Sequence, residues 1–353
     1  MPKFKKLGKV VYRIRIPMLC IFCVLIIPSY LASNSNSFYY GSAHIFGTET
    51  KLGSDVQKIE SIFGKNDTYV LLVPKDSTAT QKKLSDELHT LPQVTSIMSY
   101  VDTVGTEIPE SYLDSETLSQ LNSENYTRMV LSVDVDYEGE ETFSFIKEIR
   151  GIADKYYNGS WYLAGEGVST YDLMDTVTSD MAKVNLVAIG AVFLVLLLTA
   201  KSIVLPVILV LAIETAIWIN LSIPYFMDNT IFYIAYLIIS SIQLGATVDY
   251  AILLSERYKE ERETYEKKEA VIKTISAVTV SIITSGGVLT IVGFLLGNIS
   301  THGLLSQLGF FLGKGTLCSL VIVFFVLPSL LYVFDGIIIK KHKSKGGLLN
   351  ENK

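Results

Sequence analysis

"SSIQLGATVDYAILLSERYKEER", residues 240–262, decides how the rest of the chain is read. Its first half has the apolar character of a membrane-helix centre, yet it holds Asp249 followed by Tyr250. A carboxylate at the middle of a spanning helix costs about 2.5–3.5 kcal/mol on insertion scales, so it faces protein or water and marks a functional site. Gly245 stands four residues before Asp249 and Ala246 three. The helix face leading to the carboxylate is therefore nearly bare, and another helix can approach it closely. The Tyr250 hydroxyl can hydrogen-bond a carboxyl in either protonation state. Desolvation disfavours a charged carboxyl, which suits a group that takes up and releases a proton. The competing reading is a static buried ion pair with Lys314 that only holds helices together.

Composition agrees with a membrane setting. The 353-residue chain is 49% apolar and carries a net charge of −5; its mean hydropathy is +0.38. That balance is unusual for a soluble protein, and its sign excludes a strongly basic nucleic-acid binder. Six apolar stretches are long enough to cross about 30 Å of hydrocarbon: 14–33, 180–200, 202–223, 229–255, 272–297 and 307–334. The first, which runs into "YLASNS", also fits a cleaved signal peptide; its length favours a retained span.

Basic residues near span ends set the orientation. Lys3, Lys5, Lys6, Lys9, Arg13 and Arg15 begin the chain, and Lys340, Lys341, Lys343 and Lys345 close it. Arg257, Lys259, Arg262, Lys267 and Lys268 follow the fourth span. With six spans all three groups fall on the cytoplasmic side. The expected layout is a cytoplasmic N-terminus (1–13), a first span (14–33), an extracytoplasmic domain (34–179), spans two to six (180–334) with a cytoplasmic loop at 256–271, and a cytoplasmic basic tail (335–353). The protein is thus expected to be multi-pass in the cell membrane, with both termini cytoplasmic.

Residues 34–179 are too many for a loop. Strand patterns occur at 68–74, 93–101, 126–135 and 160–168, and helical spacing at 79–91 and 141–157. Strand–helix–strand repeated twice predicts a ferredoxin-like βαββαβ, α+β domain. "GEG" at 165–167 lacks a third glycine and reads as a turn rather than a nucleotide loop. Acidic residues well outnumber basic ones in this region. A solvated acidic face is the plainer explanation; attraction of a cationic substrate is the other.

Further polar residues stand inside the spans. Lys314 is in the sixth, between Gly313 and Gly315; it either reaches Asp249 or snorkels to the interface. Glu214 in the third is a second proton site or a hydrogen-bond acceptor for a neighbouring hydroxyl. Ser281, Thr284 and Ser285 form a hydroxyl stripe on the fifth, either bonded within their own helix or lining a proton path. Cys20 and Cys23 have CxxC spacing but apolar neighbours, and like Cys318 read as packing residues. His44, His89, His302 and His342 are scattered, with no HExxH spacing and no serine elbow. The chain is therefore expected to be no enzyme and to need no metal or cofactor.

One span, an outer domain, five more spans and "GATVDY" in the fourth resemble one half of a resistance-nodulation-division (RND) transporter, and within that superfamily the MMPL group. The fourth-span G-x-x-x-D-Y (Gly245, Asp249, Tyr250), "SERYKEE" at 255–261, "ITSGGVLTIVGF" at 283–294 and "LGKGTLCSLVIVFFVLPSLL" at 312–331 carry the resemblance. It implies proton-motive-force-driven export of lipids or other hydrophobic compounds, with proton antiport through Asp249 and Tyr250 as the relay. Members usually hold two halves in one chain; this one holds a single half, more like a second than a first. The resemblance therefore implies a partner half: a homodimer, a separately encoded half, or the remainder of a longer gene. Its other expected partners are membrane lipids and a hydrophobic substrate, not nucleic acid. The scaffold is shared by non-transporting lipid- or sterol-sensing proteins and by auxiliary subunits of protein secretion, and both remain alternatives.

Overall fold

The computed structural model describes residues 4–200 and 202–339. Lys3, Lys340, Lys341, Lys343 and Lys345 lie outside the described residues. In chain order the elements are α1 (Lys5–Arg13), α2 (Arg15–Ser33), β1 (Phe38–Tyr39), α3 (Lys51–Phe63), β2 (Asp67–Pro74), α4 (Thr78–Leu88), β3 (Val94–Met98), α5 (Tyr100–Thr103), α6 (Ser115–Leu121), β4 (Tyr126–Val133), α7 (Glu140–Tyr157) and β5 (Tyr162–Ala164). They continue with α8 (Glu166–Ala200), α9 (Val204–Phe226), β6 (Ile231–Phe232), α10 (Tyr233–Thr264), α11 (Lys267–Ile299), α12 (Gly303–Val321), a π turn (Ile322–Val326) and α13 (Leu327–Ile338). Two compact units result. One comprises Met1–Phe38, Ala182–Ser300 and Leu304–Lys353; the other comprises Tyr39–Met181 and Thr301–Gly303.

The first unit is a helical bundle. Six helices among the described residues are long and apolar enough to cross a membrane: Arg15–Ser33, Glu166–Ala200, Val204–Phe226, Tyr233–Thr264, Lys267–Ile299 and Gly303–Ile338. Helix α2 lies along α9, α1 along α11, and α10 packs against both α9 and α11. Close approach of α11 and α12 rests on two glycine pairs, each spaced by four. A Cβ on Gly293 would stand 2.5 Å from the Gly313 nitrogen, and one on Gly309 would stand 2.3 Å from the Gly297 nitrogen. Small residues at this spacing let backbones touch where lipid offers no hydrophobic drive for helix association.

Two of the expected segments are helical over much or part of their length. The loop expected at 256–271 is almost entirely helical: α10 continues to Thr264, and α11 begins at Lys267. The charged run sustains the helix beyond its apolar part through pairs three and four residues apart, Arg257 with Glu260 (2.7 Å) and Glu261 (2.8 Å), and Lys259 with Glu256 (2.7 Å). The tail expected from 335 starts inside a helix, since α13 runs to Ile338 and buries Asp335.

The second unit is built on a four-stranded sheet of order β3-β4-β2-β5, with antiparallel neighbours. Alternation on β2 and β4 turns Tyr69, Leu71 and Val73, and Met129, Leu131 and Val133, into one core. Leu84 and Leu88 of α4 and Phe145, Ile146 and Ile149 of α7 complete it. The strand expected at 160–168 is shorter, and "GEG" is no free turn, because α8 starts at Glu166. The glycines are needed for contact: a Cβ on Gly165 would lie 2.4 Å from the Tyr69 ring, and one on Gly167 would lie 2.5 Å from its hydroxyl. Helix α3 is an addition to the expected plan. It is capped by Thr50, whose hydroxyl accepts from the Gly53 N–H, and none of its residues is buried.

Candidate functional site

The residues singled out in the fourth span sit in the middle of α10, and the helix turns them to different surroundings. Tyr250 is buried, at 8% exposure, between α10 and α11, where its hydroxyl lies 3.2 Å from the Ser285 hydroxyl. Asp249 is exposed on the surface of the bundle. Gly245, one turn earlier, shares that face, and apart from its chain neighbours and its own helix backbone no atom lies within 4 Å of where a Cβ would stand on it. Ala246 is half-buried beside it. Ser281, Thr284 and Ser285 of α11 are exposed as well. Asp249 therefore belongs to an open face of α10, while Tyr250 is anchored to α11 through Ser285.

The other expected residues stand apart from this pair. Lys314 of α12 is half-buried with its Nζ 5.7 Å from the Phe310 ring, and no ion pair joins it to Asp249. Its neighbours Gly313 and Gly315 serve as close-packing points: Gly313 against Phe294 and Gly315 against Gln243 and Asn220. Glu214 is buried on α9, accepts no hydroxyl hydrogen bond, and lies close enough to Tyr236 of α10 for electrostatic interaction.

Two polar clusters in the bundle escaped the sequence reading. In the interior, the Asn220 amide of α9 donates to Gln243 Oε1 (2.9 Å) and to the Phe311 carbonyl (3.0 Å). Gln243 in turn donates to the Gly315 carbonyl (3.1 Å) and the Ser319 hydroxyl (3.2 Å), and Thr247 donates to Ser319 at 2.9 Å. The network joins α9, α10 and α12, and its α10 members Gln243 and Thr247 stand six and two residues before Asp249. The signal was a polar residue every four positions, Gln243 and Thr247, on the side of α10 opposite to the one that drew notice.

The second cluster surrounds Asp335. Its carboxylate accepts from Tyr258 (2.8 Å) and from Arg262 through Nε (2.7 Å) and Nη2 (3.1 Å), with Lys267 Nζ at 3.4 Å. Only 3% of Asp335 is exposed. The charge is compensated by a fork of guanidinium donors and a phenol, which is what burial of a carboxylate requires. A lone Asp in "YVFDGIII" gave no periodic signal pointing to that partner.

A bundle of six long apolar helices with polar residues in its interior defines a multi-pass membrane protein. The chain belongs to the MMPL family, whose model matches residues 46–346. It is similar to the Streptomyces coelicolor membrane protein SCO0839, with 26% identity over 206 residues, 57% of this chain and 29% of that protein. The chain thus spans under a third of that relative's length. A crystal structure of SecDF in its super-membrane-facing form aligns over 91% of this chain and 38% of that one, with a TM-score of 0.45 and 11% identity.

Proposed function

We propose that this chain is one half of a proton-motive-force-driven exporter of lipids or other hydrophobic compounds, and that it works as a dimer. The observation that carries the reading is the open face of α10, where exposed Asp249 stands one turn from the bare Gly245. Facing lipid, the carboxylate costs about 2.5–3.5 kcal/mol. Facing a second half, it gains hydrogen-bond partners and shelter, and the absence of side-chain bulk at Gly245 lets that half come close. Asp249 then takes protons from the outer side and releases them to the cytoplasm, with Tyr250 and its Ser285 partner shaping the path. In this arrangement both termini are cytoplasmic. The sheet unit is an extracytoplasmic, ferredoxin-like porter domain that accepts substrate and passes it on, and the chain performs no covalent chemistry.

The test is export across an imposed pH gradient in reconstituted vesicles. Asp249→Asn is expected to abolish proton-coupled export while leaving the folded chain intact. Undiminished export by that variant refutes the relay.

A further inference from the structure

The sheet unit holds a cavity of about 510 Å³ that neither the relay nor the fold requires. Its lining is rich in carboxylates. Glu60, Asp136, Glu138 and Glu166 line it, against a single lysine, Lys65. Lys65 is committed to Asp136 by a short ion pair, which leaves three carboxylates without a compensating lysine or arginine in the lining. Glu138 is largely buried, its side chain 10% exposed. Its Oε2 accepts from the Tyr40 and Gly41 N–H groups at 2.8 and 3.1 Å. Its Oε1 is buried without a hydrogen bond, 3.3 Å from His44 Nε2, with which it forms an ion pair only when the imidazole is protonated. A buried carboxylate oxygen with no donor is an attractive place for a positive charge.

The surrounding groups register the same field. The Tyr137 hydroxyl is pushed up by burial and then by Glu60 and Glu166. The Tyr40 hydroxyl is pushed up by burial and then by Glu138.

Apolar side chains share the lining. Leu52 and Val56 of α3 line the cavity, at 55% and 41% exposure, and Ile59, Ile62 and Phe63 extend the uncovered apolar surface along the helix. A helix with this much apolar surface and no buried residue lacks the partner its pattern calls for.

Carboxylates and apolar side chains in one lining, with Glu60 on the same helix as Leu52 and Val56, select a molecule with both characters. We infer that this cavity binds a cationic amphiphile, with its ammonium head at Glu60, Glu138 and Glu166 and its alkyl chain along Leu52 and Val56. The inference deepens the export reading by assigning a substrate class, and it stands on the sheet unit alone.

Calorimetric titration of the full-length protein in lipid nanodiscs, without a pH gradient, tests it against empty nanodiscs. The probes are octyltrimethylammonium, octyl sulfate and tetramethylammonium. Saturable binding of octyltrimethylammonium is expected, with the other two at least tenfold weaker. Glu60→Gln combined with Glu166→Gln, and Leu52→Ser combined with Val56→Ser, each weaken it at least tenfold with unchanged circular dichroism. Equal binding of the anionic and cationic probes overturns the inference, as does no binding above empty nanodiscs. It is also overturned if the α3 variant changes the mass of the assembly while cation binding persists, since that makes the face a contact between copies. Because no proton flux is involved, a failure here leaves the relay standing, and a failed relay leaves this site standing.

Discussion

Asp249 and Tyr250 are neighbours in sequence and face opposite environments: the tyrosine hydroxyl lies 3.2 Å from Ser285 inside the α10–α11 contact, and the carboxylate lies on the open side of α10. One peptide bond therefore separates an exposed carboxylate from a side chain held in a helix interface. Tyr250→Phe keeps the packing and removes the bond to Ser285. A single hydrogen bond between membrane helices contributes about 0.6 kcal/mol on average, so thermal stability should hardly change. Export should drop sharply under the relay. If Tyr250→Phe exports at the native rate, the hydroxyl has no part in it.

The glycines divide into two groups whose substitution separates folding from assembly. Gly293→Ala drives a methyl group to 2.5 Å from the Gly313 nitrogen, a backbone atom with little freedom to move. It should destabilise the bundle by about 1–3 kcal/mol, seen as a lower thermal midpoint in detergent. Gly245→Leu meets nothing within the chain. It should leave that midpoint in place and split the complex into single chains on a sizing column.

The Asp335 cluster links α10, α11 and α13 through one buried charge. Asp335→Ala leaves Arg262 without its principal acceptor and should cost about 3–5 kcal/mol, the range for breaking a buried pair on one side. Asp335→Asn retains an acceptor for Tyr258 and should fall between the two. Unfolding of the three proteins side by side checks the order, and a neutral Asp335→Ala contradicts the clamp.

The sheet unit should lose stability in alkali. The Tyr157 hydroxyl donates to Asp76 at 3.0 Å, and burial, that bond and the Asp76 charge together raise it above its usual 10.0. A group whose value is raised by folding contributes fully below its unfolded value and is lost as pH climbs past it. Stability should therefore fall above about pH 10, and less steeply in Tyr157→Phe. Near-ultraviolet circular dichroism against pH reads this, and identical curves would remove Tyr157 from the account.

What the sequence revealed and what it hid follow from the physics of each element. Spanning helices announce themselves because length and hydropathy are local properties, and β2 and β4 announce themselves because Tyr69, Leu71, Val73 and Met129, Leu131, Val133 alternate cleanly. Helix α3 was missed although Leu52, Val56, Ile59 and Phe63 recur at helical spacing, because Gly53 weakens the helical signal of its first turn. Charged residues 256–264 suggested a loop, yet their pairing at three and four residues is what keeps them helical. In the candidate site, Asp249 was legible as a charge in an apolar run. Its position on the outside of the bundle was not, since exposure depends on how α9, α11 and α12 crowd the other side of α10. The amides Asn220 and Gln243 were passed over because they carry no formal charge, although an amide inside a membrane bundle needs hydrogen-bond partners as a carboxylate does.

The central claim is that a second half covers the open face of Asp249. The direct measurement is the mass and subunit identity of the complex extracted gently from its native membrane. Two halves in one particle, either two copies of this chain or this chain with a related half, with Gly245→Leu reducing it to one, is the predicted result. A single copy with no second half, and no change on Gly245→Leu, contradicts the account.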